Sequence, residues 1–306
     1  MRVQLKRVLC ATDFSDQSNQ TISFGIALAK AFDARLFVCH IIDLPFAAMN
    51  GEVQLDPIEQ QDRMMDFAQE QLAQLFEKES IDWEPLVSIG HTADEISRIV
   101  DKKRIDIAVS ATHGRSGIKR LLLGSVTERL MRTLACPLLI IKEQGAEVPG
   151  MKRTVFPPKR ILVGCDFSTD SELAFQYGLA MAQEFEAELH LVHVVEPPVY
   201  QNVLFSDVSS GLYNREAMIE ELSDKLGRMV PDEARNWCDL RTVLREGKPD
   251  EELTRYADIN DMDLMVVGVR GHGLVETLFV GSTTDRVARR SPCPVLSVRP
   301  MAKDGQ

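Results

Sequence analysis

The chain states one pattern twice. "RVLCATDFSDQS" at Arg7–Ser18 returns as "RILVGCDFSTDS" at Arg160–Ser171, and "LFVCHIID" at Leu36–Asp43 returns as "LHLVHVVE" at Leu189–Glu196. Toward the end of each half, "THGRSGIKRLLLGSVTERL…CPLLII" is echoed by "VRGHGLVETLFVGSTTDRV…CPVLSV". A shift of 153 positions carries Asp13 to Asp166 and His40 to His193. A shift of 157 carries Gly114 to Gly271, Gly124 to Gly281 and Pro137 to Pro294, so one net four-residue insertion separates the copies. This duplication constrains the 306 residues to two copies of one domain, a pseudo-dimer built into a single chain. The expected limits are 1–146 for the first domain, 147–158 for a linker and 159–306 for the second.

Within each copy, apolar runs alternate with amphipathic stretches. "KRVLCATD" is a short buried strand, and Ile22, Ile26 and Ala29 space the next segment as a helix. "ARLFVCHIID", "WEPLVSIG", "IDIAVSA" and "CPLLIIK" are four more strands, with helices predicted around 60–79, after Gly90 and over "SVTERLMRTL". Thr92 with Glu95 has the spacing of a capping box, and Pro249 stands where the matching helix of the second half would begin. Strands alternating with helices predict an α/β fold: a five-stranded, mainly parallel sheet in each half, with helices on both faces. Ligands in such sheets bind beyond the carboxyl ends of the strands, where Asp13 and the Gly114 loop would converge. Between the halves, "EQGAEVPGMKRTVFPPK" has the composition of an exposed, partly stiff connector.

A formal net charge of −11 leaves no basic footprint for nucleic acid or a membrane surface, so neither is expected as a partner. No stretch approaches the roughly 20 apolar residues of a membrane span, and the N-terminus enters a strand with no leader-like segment. The six cysteines form no C-x-x-C pair and lie mostly in apolar strands, as reduced structural thiols of a cytoplasmic protein would.

The second half reads Gly268-x-x-Gly271, nine residues, then Gly281-Ser282; the first reads Ala111-x-x-Gly114, nine residues, then Gly124-Ser125. Glycines let backbone approach a ligand, and a Gly-Ser step opening a helix aims free N–H groups at an anion. The same residues also read as plain capping boxes, Ser125 with Glu128 and Ser282 with Asp285. Spacing alone leaves both open. A Walker A loop is absent, since no Gly-Lys-Ser/Thr occurs here.

With its strand-end Asp13 and Asp166, its G-x-x-G-(nine)-G-S/T loop and its closing Cys-Pro-apolar strand, the chain resembles the universal stress protein family, in its tandem-domain form. The likeness covers nearly all of both halves. It implies two Rossmann-like domains of the adenine nucleotide alpha hydrolase type, with ATP (or ADP or AMP, with or without Mg) beside the loop. By matching positions, Asp13 and Asp166, with Thr12 and Cys165 before them, would meet the adenosine portion, and Ile41 and Val194 the adenine. Ala111, His113, Gly114, Gly124, Ser125, Val126 and Thr127 would hold the phosphates in the first half. Gly268, Arg270, Gly271, Gly281, Ser282, Thr283 and Thr284 would do so in the second. The plain alternative for the two aspartates is a turn-completing role at helix entry.

The halves differ. Ala111 would add a methyl group close to the expected ligand, whereas Arg115, Lys119 and Arg120 give the first loop positive charge; the second loop interior carries Glu276 instead. His40 and His193 sit at matched strand ends, where a catalytic base or a hydrogen-bonded core histidine would both fit, the second more readily. His91 is expected at the surface, and the Met and Phe residues over 64–76 in the core. No Ser–His–Asp order or metal-ligand cluster recurs, so no catalytic or metal residue is assigned.

The strands "CPLLIIK" and "CPVLSVR" would leave open edges, and the family resemblance makes them the seam between the halves. The leading expectation is an ATP-binding, nucleotide-dependent stress sensor or regulator with at most slow hydrolysis or autophosphorylation. A nucleotide-free scaffold and an ATP-dependent enzyme of a related class are the alternatives. The segments 44–57 and 197–214 would serve as lids or docking surfaces for an unknown protein partner, or simply pack on the neighbouring half. Further association of two chains into a homodimer stays open.

Overall fold

The computed structural model describes residues 3–43, 57–77, 79–112, 123–142, 156–196, 208–271 and 280–300, without the side chains of residues 17, 57 and 208–214. The first half runs β1 (Arg7–Ala11), α1 (Asp16–Phe32), β2 (Arg35–Ile42), α2 (Pro57–Leu75), β3 (Trp83–Ile89), α3 (Thr92–Lys103), β4 (Ile107–Ala111), α4 (Ser125–Thr133) and β5 (Leu138–Ile141). The second repeats it as β6 (Arg160–Cys165), α5 (Thr169–Phe185), β7 (Glu188–Val195), α6 (Val208–Arg228), β8 (Leu240–Glu246), α7 (Pro249–Ile259), β9 (Leu264–Gly268), α8 (Ser282–Arg290) and β10 (Val295–Val298).

Each half forms a parallel sheet of order 3-2-1-4-5, but the two are not separate sheets. They fuse into one ten-stranded sheet, β3-β2-β1-β4-β5-β10-β9-β6-β7-β8. The single antiparallel step is the seam, where Val295 faces Ile140, Leu296 faces Leu139 and Ser297 faces Leu138. Because the 157-residue shift carries Leu139 onto Leu296, the pseudo-twofold axis passes through that pair. The closing strands are therefore interior, and the sheet's outer edges are β3 and β8.

Strand alternation sorts the core. On one face Val8, Cys10, Leu139, Val163 and Leu296 join α1, α2, α5 and α6 in a single cluster that crosses the seam. On the other, α3 and α4 cover a cluster in the first half, and α7 and α8 cover one in the second. The connector contributes to the shared core, contrary to the expected exposure: the Phe156 ring lies tilted at 4.6 Å from Phe24 and edge-on at 5.4 Å from Phe185. An aromatic ring there removes more apolar surface from water than a polar linker residue would. The connector from 143 to 155 lies outside the described residues.

The seam is also held by charge. Lys142 Nζ donates to the carbonyl of Ser291 at 2.6 Å, just beyond α8. Its counterpart 157 positions on, Arg299, donates to the carbonyls of Arg132 (2.8 Å) and Met131 at the end of α4. Each half thus supplies the cation that satisfies the other half's orphan helix carbonyls. Burial pushes Lys142 down to about 8. All six cysteines are free thiols, five of them buried.

Candidate functional site

In the order 3-2-1-4-5 the strand order reverses between the parallel neighbours β1 and β4, and in the second half between β6 and β9, so the predicted strand-end residues come to the switch points. Asp13 follows β1 by two residues. Its Oδ1 accepts from Ser15 N at 3.0 Å and Ser15 Oγ at 2.6 Å, and Phe14 sits at φ 64°. Asp166 does the same with Ser168 N (3.0 Å) and Ser168 Oγ (2.5 Å), with Phe167 at φ 61°. One carboxylate oxygen therefore completes the turn into the helix. The turn-completing role foreseen for these aspartates is present, and it leaves the second oxygen differently engaged.

In the second half that oxygen faces the glycine loop. A Cβ on Gly271 would lie 2.6 Å from Asp166 Oδ2, so only glycine allows the approach. Gly281 closes on the same point: its own Cβ would lie 3.7 Å from Gly271 N and 3.9 Å from Arg270 Cα. Asp166, Gly271 and Gly281 are thus brought together. The first-half loop, with His113, Gly114, Arg115, Lys119 and Arg120, lies outside the described residues, as does Glu276. Its two ends are pinned, for Gly124 N donates to Thr112 O at 2.7 Å; Gly281 N to Val269 O at 2.8 Å is the match.

The expected capping boxes do not form. Gly124 and Gly281 are themselves the N-caps of α4 and α8, with no side-chain cap, and Ser125 and Ser282 are exposed first-turn residues. With no side chain at the N-cap, the first-turn N–H groups, those of Val126 and Thr283 among them, open toward the crevice end of the sheet. Thr127 and Thr284 turn inward: their hydroxyls donate to Ala111 O at 2.7 Å and Gly268 O at 2.6 Å. The same one-residue offset removes the third box, because His91 rather than Thr92 is the N-cap of α3. Glu95 folds back on Ser88 and Arg98, whose hydrogen bonds hold its carboxyl below the usual range.

Thr12 and Cys165 are buried, Thr12 Oγ1 bonding Ser18 and Asn19, and Cys165 Sγ lying 3.5 Å from Met229 Sδ. Ile41 and Val194 are buried in the cores under α3 and α7, at the strand ends next to the crevices. His40 Nδ1 is bonded to Thr12 O at 2.9 Å and His193 Nδ1 to Cys165 O at 2.7 Å, each ring packed on Phe14 or Phe167. They are half-buried histidines, each hydrogen-bonded to a strand-end carbonyl rather than sunk in the core. His91 is exposed as expected, whereas Phe67 departs from the core and is 60% exposed.

Two positions correct the charge and size reading of the loops. A Cβ on Gly268 would lie 2.8 Å from the backbone carbonyl carbon of Asp170, so this glycine admits α5 rather than a ligand. The matched methyl of Ala111 is therefore directed at the first turn of α1 by strand alternation, not into the crevice. Arg270 is bound in a fork to buried Asp170, Nε to Oδ2 at 3.1 Å and Nη2 to Oδ1 at 3.2 Å, and its backbone N–H adds a third bond at 3.1 Å. Asp170 is not among the residues expected at the site; its signal in the sequence is the exchange for Gln17 in the first copy. No group of side chains among the described residues could hold a metal ion, and no described helix is long and apolar enough to cross a membrane.

Comparison with known proteins agrees with this geometry. The family model described as "Universal stress protein family" matches residues 4–142 and again 157–299. Universal stress protein Slr1230 of Synechocystis is 21% identical over 96% of this chain and all of its own length. Universal stress protein MJ0531 of Methanocaldococcus jannaschii is 31% identical over 46% of this chain and 85% of its own. A universal stress protein structure from Archaeoglobus fulgidus superposes with a TM-score of 0.67 at 22% identity, covering 97% of this chain and 100% of that one.

Proposed function

The chain belongs to the universal stress protein family, and on that premise we propose that it binds ATP, or ADP or AMP, with or without Mg, at the two switch-point crevices. In this reading it acts in the cytoplasm as a nucleotide-dependent stress sensor or regulator. The observation that carries it is the convergence of Asp166, Gly271 and Gly281 beside a helix whose N-cap has no side chain. A carboxylate there can accept from a ribose hydroxyl, while open first-turn amides suit a phosphate. Phosphate contacts fall to the backbone and to Ser125 and Ser282, since Thr127 and Thr284 are engaged with strand carbonyls. Hydrolysis or autophosphorylation would be slow at most in this reading, because no Ser–His–Asp order recurs in the two halves and no general base is assigned at either crevice.

The competing scaffold reading gains from the Asp170–Arg270 fork, which withholds a cation from the second loop. The deciding experiment is to denature purified protein and identify released small molecules by chromatography and mass spectrometry. Adenine nucleotide at about one or two equivalents per chain supports the proposal. A blank, repeated after soaking in Mg-ATP, refutes it and favours the scaffold.

A further inference from the structure

The repeat makes the two outer edges of the sheet equivalent, and one residue makes them different. Among the described residues β3 pairs only with β2, and β8 only with β7. Backbone alternation decides which residues face outward. Asp82 O accepts from Leu36 N at 3.0 Å and Gly90 N donates to Ile42 O at 3.0 Å. Trp83, Pro85, Val87 and Ile89 therefore turn their backbone away from β2. In β8, Asp239 O accepts from Leu189 N at 2.8 Å and Gly247 N donates to Val195 O at 3.0 Å, which leaves Leu240, Thr242, Leu244 and Glu246 facing outward. Pro85 has no N–H to offer in the middle of its edge. The 157-residue shift carries it onto Thr242, which is exposed and keeps its donor. One edge is blocked; the other presents an unbroken row of donors and acceptors.

From this difference we propose that β8 is the docking edge for a second copy of the chain, paired β8 to β8 and antiparallel about a twofold axis at Thr242. Closure and charge choose this occupant. Pairing of β8 with β3 of the next copy would be head-to-tail and would grow filaments, and Pro85 opposes it; self-pairing closes on two chains. With Thr242 opposite Thr242, Leu240 faces Leu244 and Asp239 faces Arg245, each pair occurring twice by symmetry. A slip of two residues in either direction sets Arg241 opposite Arg241 or opposite Arg245, so like charges exclude the neighbouring registers. Apolar side chains flank the edge. Arg215 of α6 reaches Glu246 at 2.6 Å, and Met218 follows it by one helical turn. Met218 is 39% exposed, and Trp237, just before β8, is 45% exposed. This contact is independent of the nucleotide reading, since the switch points lie between β1 and β4 and between β6 and β9.

Sedimentation velocity of the full chain from about 1 to 200 µM tests it, over the range where a small, reversible interface reports itself. The mass should move from one chain toward two. Thr242→Pro, which gives β8 the residue β3 already carries, should stay at one chain with an unchanged Tm, because the lost N–H bonds nothing in β7. Asp239→Arg should raise the midpoint concentration about three- to tenfold, since it sets like charges opposite each other at two places. Hydrogen exchange on the unmodified chain reads the same contact without any variant. The amides of Thr242 and Leu244 should slow as the protein is concentrated, while those of Val87 and Ile89 on the blocked edge should not. A single-chain mass throughout, a dimer that survives Thr242→Pro, assembly beyond two chains, or exchange at Thr242 and Leu244 that ignores concentration each overturns the proposal.

Discussion

Gly268→Ala separates the two explanations for a glycine at the start of the loop, room for a ligand or room for a helix. The added Cβ would sit 2.8 Å from the carbonyl carbon of Asp170, 2.9 Å from its Cβ and 2.9 Å from Ser171 N. Two of these are backbone atoms, so no rotamer relieves the contact. The first turn of α5 is itself fixed, by the Ser168 cap on Ser171 N at 3.2 Å and by the Arg270 fork. β9 has a strand on each side and cannot recede. Overpacking of this kind costs about 1–3 kcal/mol, offset by about 0.4–1 kcal/mol from the stiffer unfolded chain. The net loss of about 1–2 kcal/mol should lower Tm by about 2–8 °C in scanning calorimetry. Affinity for ATP, measured by isothermal titration on the folded variant, should stay within about threefold, since the methyl faces α5. Ala111→Gly is the converse control, with a loss of about 0.4–1 kcal/mol and no gain in ATP affinity. An unchanged Tm accompanied by a large fall in affinity would refute this placement of the Cβ.

Further outcomes follow from the same contacts. Thr127→Val and Thr284→Val each remove a hydroxyl donated to a strand-end carbonyl, so urea denaturation should register about 1–2 kcal/mol lost with nucleotide release unaltered. A drop in bound nucleotide without lost stability would instead place these hydroxyls on phosphate. For Lys142→Met the pH dependence is the readout. Burial lowers Lys142 from 10.5 to about 8, so below about pH 8 both the folded and unfolded chains carry the charge and the burial penalty is felt in full. Between about 8 and 10.5 the folded chain has released a proton that the unfolded chain still binds, and stability relative to the variant rises with pH, by about 3 kcal/mol across the window. A wild-type-minus-variant difference that is flat or falls from pH 7 to pH 10 contradicts the assignment.

Much of this architecture was legible because a repeat is its own alignment. The closing strands were legible as the seam through the family resemblance, whereas their register, Leu139 opposite Leu296, is seen only in the structure. Fusion into one sheet followed less directly, since an apolar strand reads alike whether it closes a sheet or joins two. The helices after Gly90, Gly124 and Gly281 stand where their sequences place them, but the capping boxes do not form, because the N-caps are His91, Gly124 and Gly281, none of which supplies a capping hydroxyl. Side-chain direction was the other gap. Spacing marks Arg270 and Ala111 as loop residues, yet only the packing of α5 on β9 decides which way they point. Asp170 could have been found by asking where the copies disagree in charge rather than where they agree.

Fusion of two copies explains why the seam kept its equivalence while the outer edges did not. In a homodimer each substitution appears twice, so two edges cannot part company; in one chain they can. The seam has no such freedom, because each half completes the other's last helix. Arg299→Ala tests this asymmetry of constraint. It removes the donors to Met131 and Arg132 carbonyls at the end of α4, groups that are then left without that partner, at a cost of about 1.5–3 kcal/mol for a charged hydrogen bond. Although the substitution lies in the second half, hydrogen exchange should speed in α4 and β5 of the first as well as in β10, and calorimetry should show one lowered transition. Faster exchange confined to α8 and β10 would mean that the halves unfold independently, and that the cross-seam caps report proximity without coupling.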